Sequence, residues 1–240
     1  MLELLDILRS CQNYLPSTFV STHQRFFTEE EPLQKLAKRL LEFSQAGVPT
    51  AFPLPHFHVE CTPPLSTAYI FFEKPIKHWK EGSLEPSLLM QQFANALIQA
   101  DCKNILILLG QRLTPASLTD ARAIPPSKAK LMASASQEYA QGLTVGARAL
   151  TKHVHRSPDQ FWGEIKGSTE EKNKLSLHKI STILDQTTWW NIFGHYKHDI
   201  VFEARVPEGQ GARWGHGGSE LIGFLEPFLS EEEEKLMSEK

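Results

Sequence analysis

The chain has 240 residues, 41% of them hydrophobic and 10% aromatic, with a formal net charge of -3. That size and apolar content suffice to bury a core without staples and exclude a disordered chain. The near-neutral charge excludes a global field that recruits nucleic acid or an anionic membrane, so any such partner needs a local patch.

Three widely spaced cysteines, Cys11, Cys61 and Cys102, suit neither a disulfide framework nor a cysteine zinc site. The opening run Met1–Arg9 carries acids among its leucines and lacks the basic start of a signal peptide. Its longest uninterrupted apolar run, residues 105–109, is far too short for a bilayer. The expectation is a soluble cytoplasmic or nuclear protein with no membrane partner.

In chain order, Leu4, Leu5 and Leu8 share one side of a short helix. Thr28 and Glu31 have capping-box spacing ahead of the stripe Leu33, Leu36, Ala37 and Leu40, and Gly47 stops that helix. Prolines crowd residues 48–66 and exclude a long helix there. Residues 66–73, with Tyr69, Ile70, Phe71 and Phe72, read as a strand ended by Pro75. Pro86 opens a helix through Leu89, Phe93 and Leu97. The run Ile105 to Leu109 reads as a buried strand, which suggests a βαβ unit.

Residues 111–126 read as a loop. Ser127 caps one long helix predicted to reach residue 156, in which Gly142 and Gly146 each cost about 1 kcal/mol relative to alanine unless close packing compensates. Ser168 and Glu171 form a second capping box ahead of Leu177, Ile180 and Leu184. Asn173, on the same face, is expected to bond a neighbouring backbone. From Ile200 to Val206 apolar and polar residues alternate, as in a half-buried strand, with residues 189–193 as hairpin partner. Residues 212–214 and 220–225 suggest another hairpin around the glycine turn at 215–218.

The fold expected is therefore α+β, with helices packed on a C-terminal antiparallel sheet and a βαβ unit in the first half. The expected division is 1–126, then 127–229 as a helical pair plus sheet, then a charged tail over 230–240.

Residues that carry chemistry concentrate late in the chain. From Ala149 onward lie six of the ten histidines, four of the five tryptophans and nine of the fourteen glycines. Trp162, Trp189 and Trp190 are read as core anchors. Arg148, Lys152 and Arg156 stand at helical i, i+4 and i+8 with His155 beside them, a basic ridge suited to phosphate oxygens. Arg213 and Trp214 sit between glycine turns, where an arginine beside an indole could clamp a charged planar ligand. Glu203 and Arg205 share a strand face, which suggests an ion-pair lattice or a general base. His195 and His198 flank a turn, and a histidine pair can cleave a phosphodiester by taking one proton and giving another.

The leading expectation is a phosphate- or nucleotide-ligand site joining Arg148, Lys152 and Arg156 to Arg205, Arg213 and Trp214. Where the site is catalytic, His155 and His195 would exchange the proton of phosphoester hydrolysis and Glu203 would orient one of them. An anionic small molecule or a nucleic-acid segment would be the ligand, and the sequence names no cofactor either way. The alternatives are a non-enzymatic module whose basic ridge docks an acidic protein, and a metal site at His56, His58 and Glu60, whose alternation would put all three on one strand face.

Overall fold

The computed structural model describes residues 3–154 and 161–229. Contacts divide the chain into two units. The first takes in Met1–Phe52, Thr62–Gln111 and Leu118–Ile124. The second takes in Pro53–Cys61, Arg112–Ser117 and Pro125–Lys240.

The regular elements described in the first unit are helices. Helices α1 (Leu4–Ser10), α2 (Ser17–Thr22), α3 (Gln24–Thr28), α4 (Glu30–Ala46), α5 (Leu65–Glu81) and α6 (Pro86–Leu108) follow one another. The stripe Leu33, Leu36, Ala37 and Leu40 is buried as its period requires, and Gly47 ends α4 at φ 82°. The Thr28–Glu31 capping box does not form. Thr28 closes α3, and its hydroxyl donates back to the Gln24 carbonyl at 3.0 Å.

The βαβ expectation fails at both of its strands. Residues 66–73 lie in α5, where Leu65, Ala68, Tyr69, Phe72 and Ile76 are buried at helical spacing and Pro75 sits inside the helix. The run Ile105–Leu108 is the last part of α6, buried on all sides. Short apolar runs do not distinguish a buried strand from a buried helix. Asp101, at φ 58°, kinks α6, and its carboxylate accepts from the Asn104 amide at 3.0 Å to cap the segment that follows.

In the second unit, α7 (Lys128–Ser136) is capped by the Ser127 side chain, as expected. The predicted helix over 127–156 breaks after α7. A small hairpin intervenes, β1 (Glu138–Ala140) and β2 (Leu143–Thr144), before α8 (Val145–Val154). Its turn uses Gln141 at φ 51° and Gly142 at φ 77°, left-handed conformations that a helix interior does not allow. Gly146 behaves as expected: a Cβ there would lie 3.0 Å from the Ala135 carbonyl, so α8 approaches its neighbours closely. In α9 (Thr169–Asp185) the full capping box of Ser168 and Glu171 is present. Asn173 accepts from the Thr144 amide and donates to the Gly142 carbonyl, tying α9 to the hairpin.

Strands β3 (Trp189–His195), β4 (Asp199–Arg205), β5 (Gly211–Gly215) and β6 (Glu220–Leu225) form an antiparallel sheet in that order. Its register pairs Trp190 with Ala204 and Phe202 with Trp214. These residues, with Ala212 and Phe224, share the face that packs on the helices. Trp214 is fully buried and its indole N–H donates to the Leu131 carbonyl of α7 at 3.3 Å. The α+β expectation, helices on a C-terminal antiparallel sheet, holds.

Candidate active site

Side chains alternate across a strand, so the same register gathers a second set on the opposite face. Asn191, Glu203 and Arg213 lie directly opposite one another on β3, β4 and β5. His195 ends β3 on that face and Arg205 follows Glu203 by two residues.

Glu203 is 1% exposed and anchors the network. Its Oε1 accepts from Arg205 Nε at 2.6 Å, and its Oε2 accepts from Arg213 Nε and Nη2 at 2.8 and 2.6 Å. Such charge-assisted forks fix guanidinium orientation as well as charge. Arg205 also donates through Nη1 to the Gly209 and Glu226 carbonyls, and its Cζ lies 3.9 Å from the Phe228 ring centroid. Arg213 is less enclosed, with 21% of its side chain exposed.

Arg213 Nη1 lies 3.1 Å from His195 Nε2, while the Lys197 backbone N–H points at His195 Nδ1 from 3.2 Å. A neutral imidazole offers one acceptor nitrogen, and here both nitrogens face donors. Protonating the ring would set N–H against N–H on both sides. Burial lowers the His195 pKa below its ordinary value, and the Arg213 and His198 charges lower it further. The ring is thereby kept in its basic form. It stacks on Tyr196 at 4.8 Å and lies 5.1 Å from the His198 ring.

A third wall comes from residues 112–117, which run along the free edge of β3. Arg112 N donates to the Trp190 carbonyl, Gly194 N donates to the Ala116 carbonyl, and Ser117 bridges to Phe193. Asn191, wholly buried, donates to the Ser117 hydroxyl at 2.8 Å and to the Thr114 hydroxyl at 3.3 Å. A pocket of about 680 Å³ lies between these walls, with His195, Glu203 and Arg213 at one side and Phe57 and Phe228 among its lining.

The convergence expected from sequence is only partly present. His195, Glu203, Arg205 and Arg213 do meet. His155 and Arg156 lie outside the described residues. Arg148 and Lys152 belong to α8, which packs on the Phe224 face of the sheet through His153, at 6.2 Å between rings. They therefore lie away from the pocket, and the Arg148 guanidinium covers the Tyr139 ring at 4.0 Å. Arg205 is locked by its own carboxylate and carbonyls. Trp214, one residue from Arg213, points the other way into the core and offers no ring face to a ligand.

The metal alternative is corrected as well. Residues 56–60 form a turn in place of a strand. Glu60 holds the buried Arg112 through Nε and Nη2, and His56 Nδ1 lies 3.2 Å from the same guanidinium. Among the described residues no group of three or more histidine, cysteine, aspartate or glutamate side chains could hold a metal ion.

Sequence reasoning missed Asn191, Thr114, Ser117, Phe57 and Phe228. Thr114 and Ser117 have the spacing of a hydroxyl-closed turn, a signal that was there to read. Phe57 and Phe228 stack although far apart in the sequence, and they leave no local sign.

This arrangement of an α+β domain with an imidazole–guanidinium pair in an open pocket coincides with a sequence match. Residues 132–226 are similar to the CdiA C-terminal tRNase toxin domain. The match covers less than half of the chain, and it lies wholly within the second unit. No curated protein and no solved structure matches the chain. The similarity to a tRNase domain corrects the expectation of a phosphate- or nucleotide-ligand protein, while the phosphoester-hydrolase part of that expectation is partly compatible with it. Among the described residues no helix is long and apolar enough to cross a membrane.

Proposed function

We propose that the second unit is a ribonuclease that cuts tRNA by attack of a ribose 2′-hydroxyl on its own 3′-phosphodiester. The observation that carries this reading is the His195–Arg213 pair, 3.1 Å apart at the pocket, inside the stretch similar to a tRNase toxin domain. As Arg213 Nη1 turns from His195 Nε2 to the phosphate, that ring nitrogen takes the 2′-hydroxyl proton and the O2′–P bond forms. Arg213 donates to the non-bridging oxygens, where charge builds up. The P–O5′ bond breaks, and the leaving oxygen takes a proton from His198. The products are a 2′,3′-cyclic phosphate and a 5′-hydroxyl. General acid–base groups of this kind contribute about 10²–10⁴-fold each, and an oriented donor at the developing charge roughly 10²–10³.

Glu203 is a positioning residue: it holds two of the three Arg213 nitrogens and turns Nη1 toward His195. Because its charge is already shared by two guanidinium groups, the carboxylate is poorly suited to recruit a divalent cation. Incubation of tRNA with the protein in excess EDTA should yield 5′-hydroxyl and cyclic-phosphate ends. His195→Ala should lower the rate at least about 100-fold. Fragments with 5′-phosphate ends, or intact tRNA after prolonged incubation, would overturn the assignment.

A further inference from the structure

The pocket continues beyond the His195–Arg213 pair, and its chemistry changes on the way. A line of contacts runs along its floor from His195 to Arg213, Glu203, Arg205, Phe228 and Phe57. Glu203 and Arg205 are successive residues on one face of β4, about 7 Å apart along the strand. The far end is thus displaced from the near one by the scale of a nucleotide.

At the near end Arg213 keeps part of its guanidinium open. At the far end the Arg205 charge is bound to Glu203 and two carbonyls, and the surface is aromatic. Phe57 stacks on Phe228 with ring centroids 4.3 Å apart and planes 14° from parallel. Trp189 meets Phe228 edge-on at 5.0 Å. Val59 and Leu229, 40% and 42% exposed, extend that wall. A phosphate gains little there, whereas a flat heterocycle gains a stacking partner.

We propose that this aromatic end holds one nucleobase of the RNA, unstacked from its neighbours, while the adjoining phosphate lies at Arg213; the inference rests on the ribonuclease reading above. The volume of about 680 Å³ is within the range of sites that enclose a small ligand. A base inside a duplex is stacked on both sides and paired at its edge, so it cannot enter. The substrate at the cut is therefore a loop, a bulge or a single-stranded end, the form in which RNA bases are ordinarily read.

The test uses the full chain and stem-loop RNAs. Affinity is read by fluorescence anisotropy with a 2′-O-methylated, uncleavable loop, with an abasic residue placed at each loop position in turn, and with a matched duplex. Cleavage is read separately on the unmodified stem-loop. The intact loop should bind about tenfold more tightly than the duplex, and one abasic position should lose about the same factor. Phe57→Ala should abolish that base dependence, and Phe57→Tyr should keep it. Equal affinity for duplex and loop, or indifference to every abasic position, overturns the base site even if cleavage persists. Base-dependent binding with no cleavage of the unmodified RNA would instead sink the ribonuclease reading.

Discussion

Replacing Glu203 by glutamine tests the network at its centre. The carboxylate is 1% exposed and compensates two guanidinium groups, of which Arg205 is 4% exposed. Glutamine retains an oxygen for Arg205 Nε but turns an amide donor toward Arg213, which is itself only a donor. Removing one partner of a buried pair costs about 3–5 kcal/mol, because the remaining charge stays buried without compensation. The two carbonyls that Arg205 also reaches place the expected loss near the lower bound, about 3 kcal/mol. For a chain of this length that corresponds to a fall in Tm of roughly 6–12 °C. Urea unfolding followed by circular dichroism reads it directly, and Arg213→Gln alone should cost less, since Glu203 keeps Arg205. The double variant should be less destabilised than the sum of the two. RNA cleavage by folded E203Q should fall mainly in kcat, because Arg213 is released near the reacting phosphate. A loss below about 1 kcal/mol, or strict additivity, would refute the argument that this buried carboxylate holds both arginines in place.

Further outcomes follow from other parts of the site and its scaffold. The acid limb of kcat/KM for RNA cleavage should fall below the ordinary histidine pKa of about 6.5, since burial, Arg213 and His198 all lower that of His195. Arg213→Gln should move this limb to higher pH while lowering the plateau; an unmoved limb would remove His195 as the base. Because the folded pKa is depressed, the unfolded chain takes the proton first. His195 therefore destabilises the fold only as pH drops through about 6.5, and His195→Gln should flatten that part of the stability profile. Trp214→Phe should cost about 1–3 kcal/mol in denaturant unfolding through lost volume and the lost bond to Leu131, yet leave cleavage per folded molecule unchanged. Gly211→Ala would place a Cβ 2.2 Å from the Ala204 carbonyl, forcing β4 and β5 apart. It should lose at least about 1–3 kcal/mol of stability, and a silent substitution would contradict the register.

How far these features are legible in the sequence depends on how local their causes are. The sheet was readable because the alternation from Ile200 to Val206 and the glycine turns are short-range signals with a fixed period. The helix starts at Ser127 and Ser168 were readable for the same reason. Residues 105–109 were not, because a fully apolar run carries no period; in 66–73 the short run Tyr69–Phe72 masks a helical spacing that shows only when Leu65, Ala68 and Ile76 on either side are counted with it. The ridge Arg148, Lys152, Arg156 is real as spacing for the two residues described. What the spacing could not carry is which face of the sheet the helix covers. That depends on Phe224 and His153 meeting across seventy residues.

Arg213 and Trp214 give the clearest measure of what one position means on a strand. Read as a dipeptide they suggest a single clamp of guanidinium and indole. The period of two sends them to opposite faces. Trp214 then anchors the sheet to α7, and Arg213 joins Glu203 and His195 on the open side. Register alone therefore separates support from chemistry within four strands. A slip of one residue between β4 and β5 would bury Arg213 against the helices and expose the indole. The pairing of Glu203 with Arg213 guards against such a slip, since the observed register sets Arg213 directly opposite Glu203 and closes its fork on the carboxylate. The buried ion network thus specifies the alignment that brings the imidazole and the guanidinium together, which is why its loss should register in stability and in kcat at once.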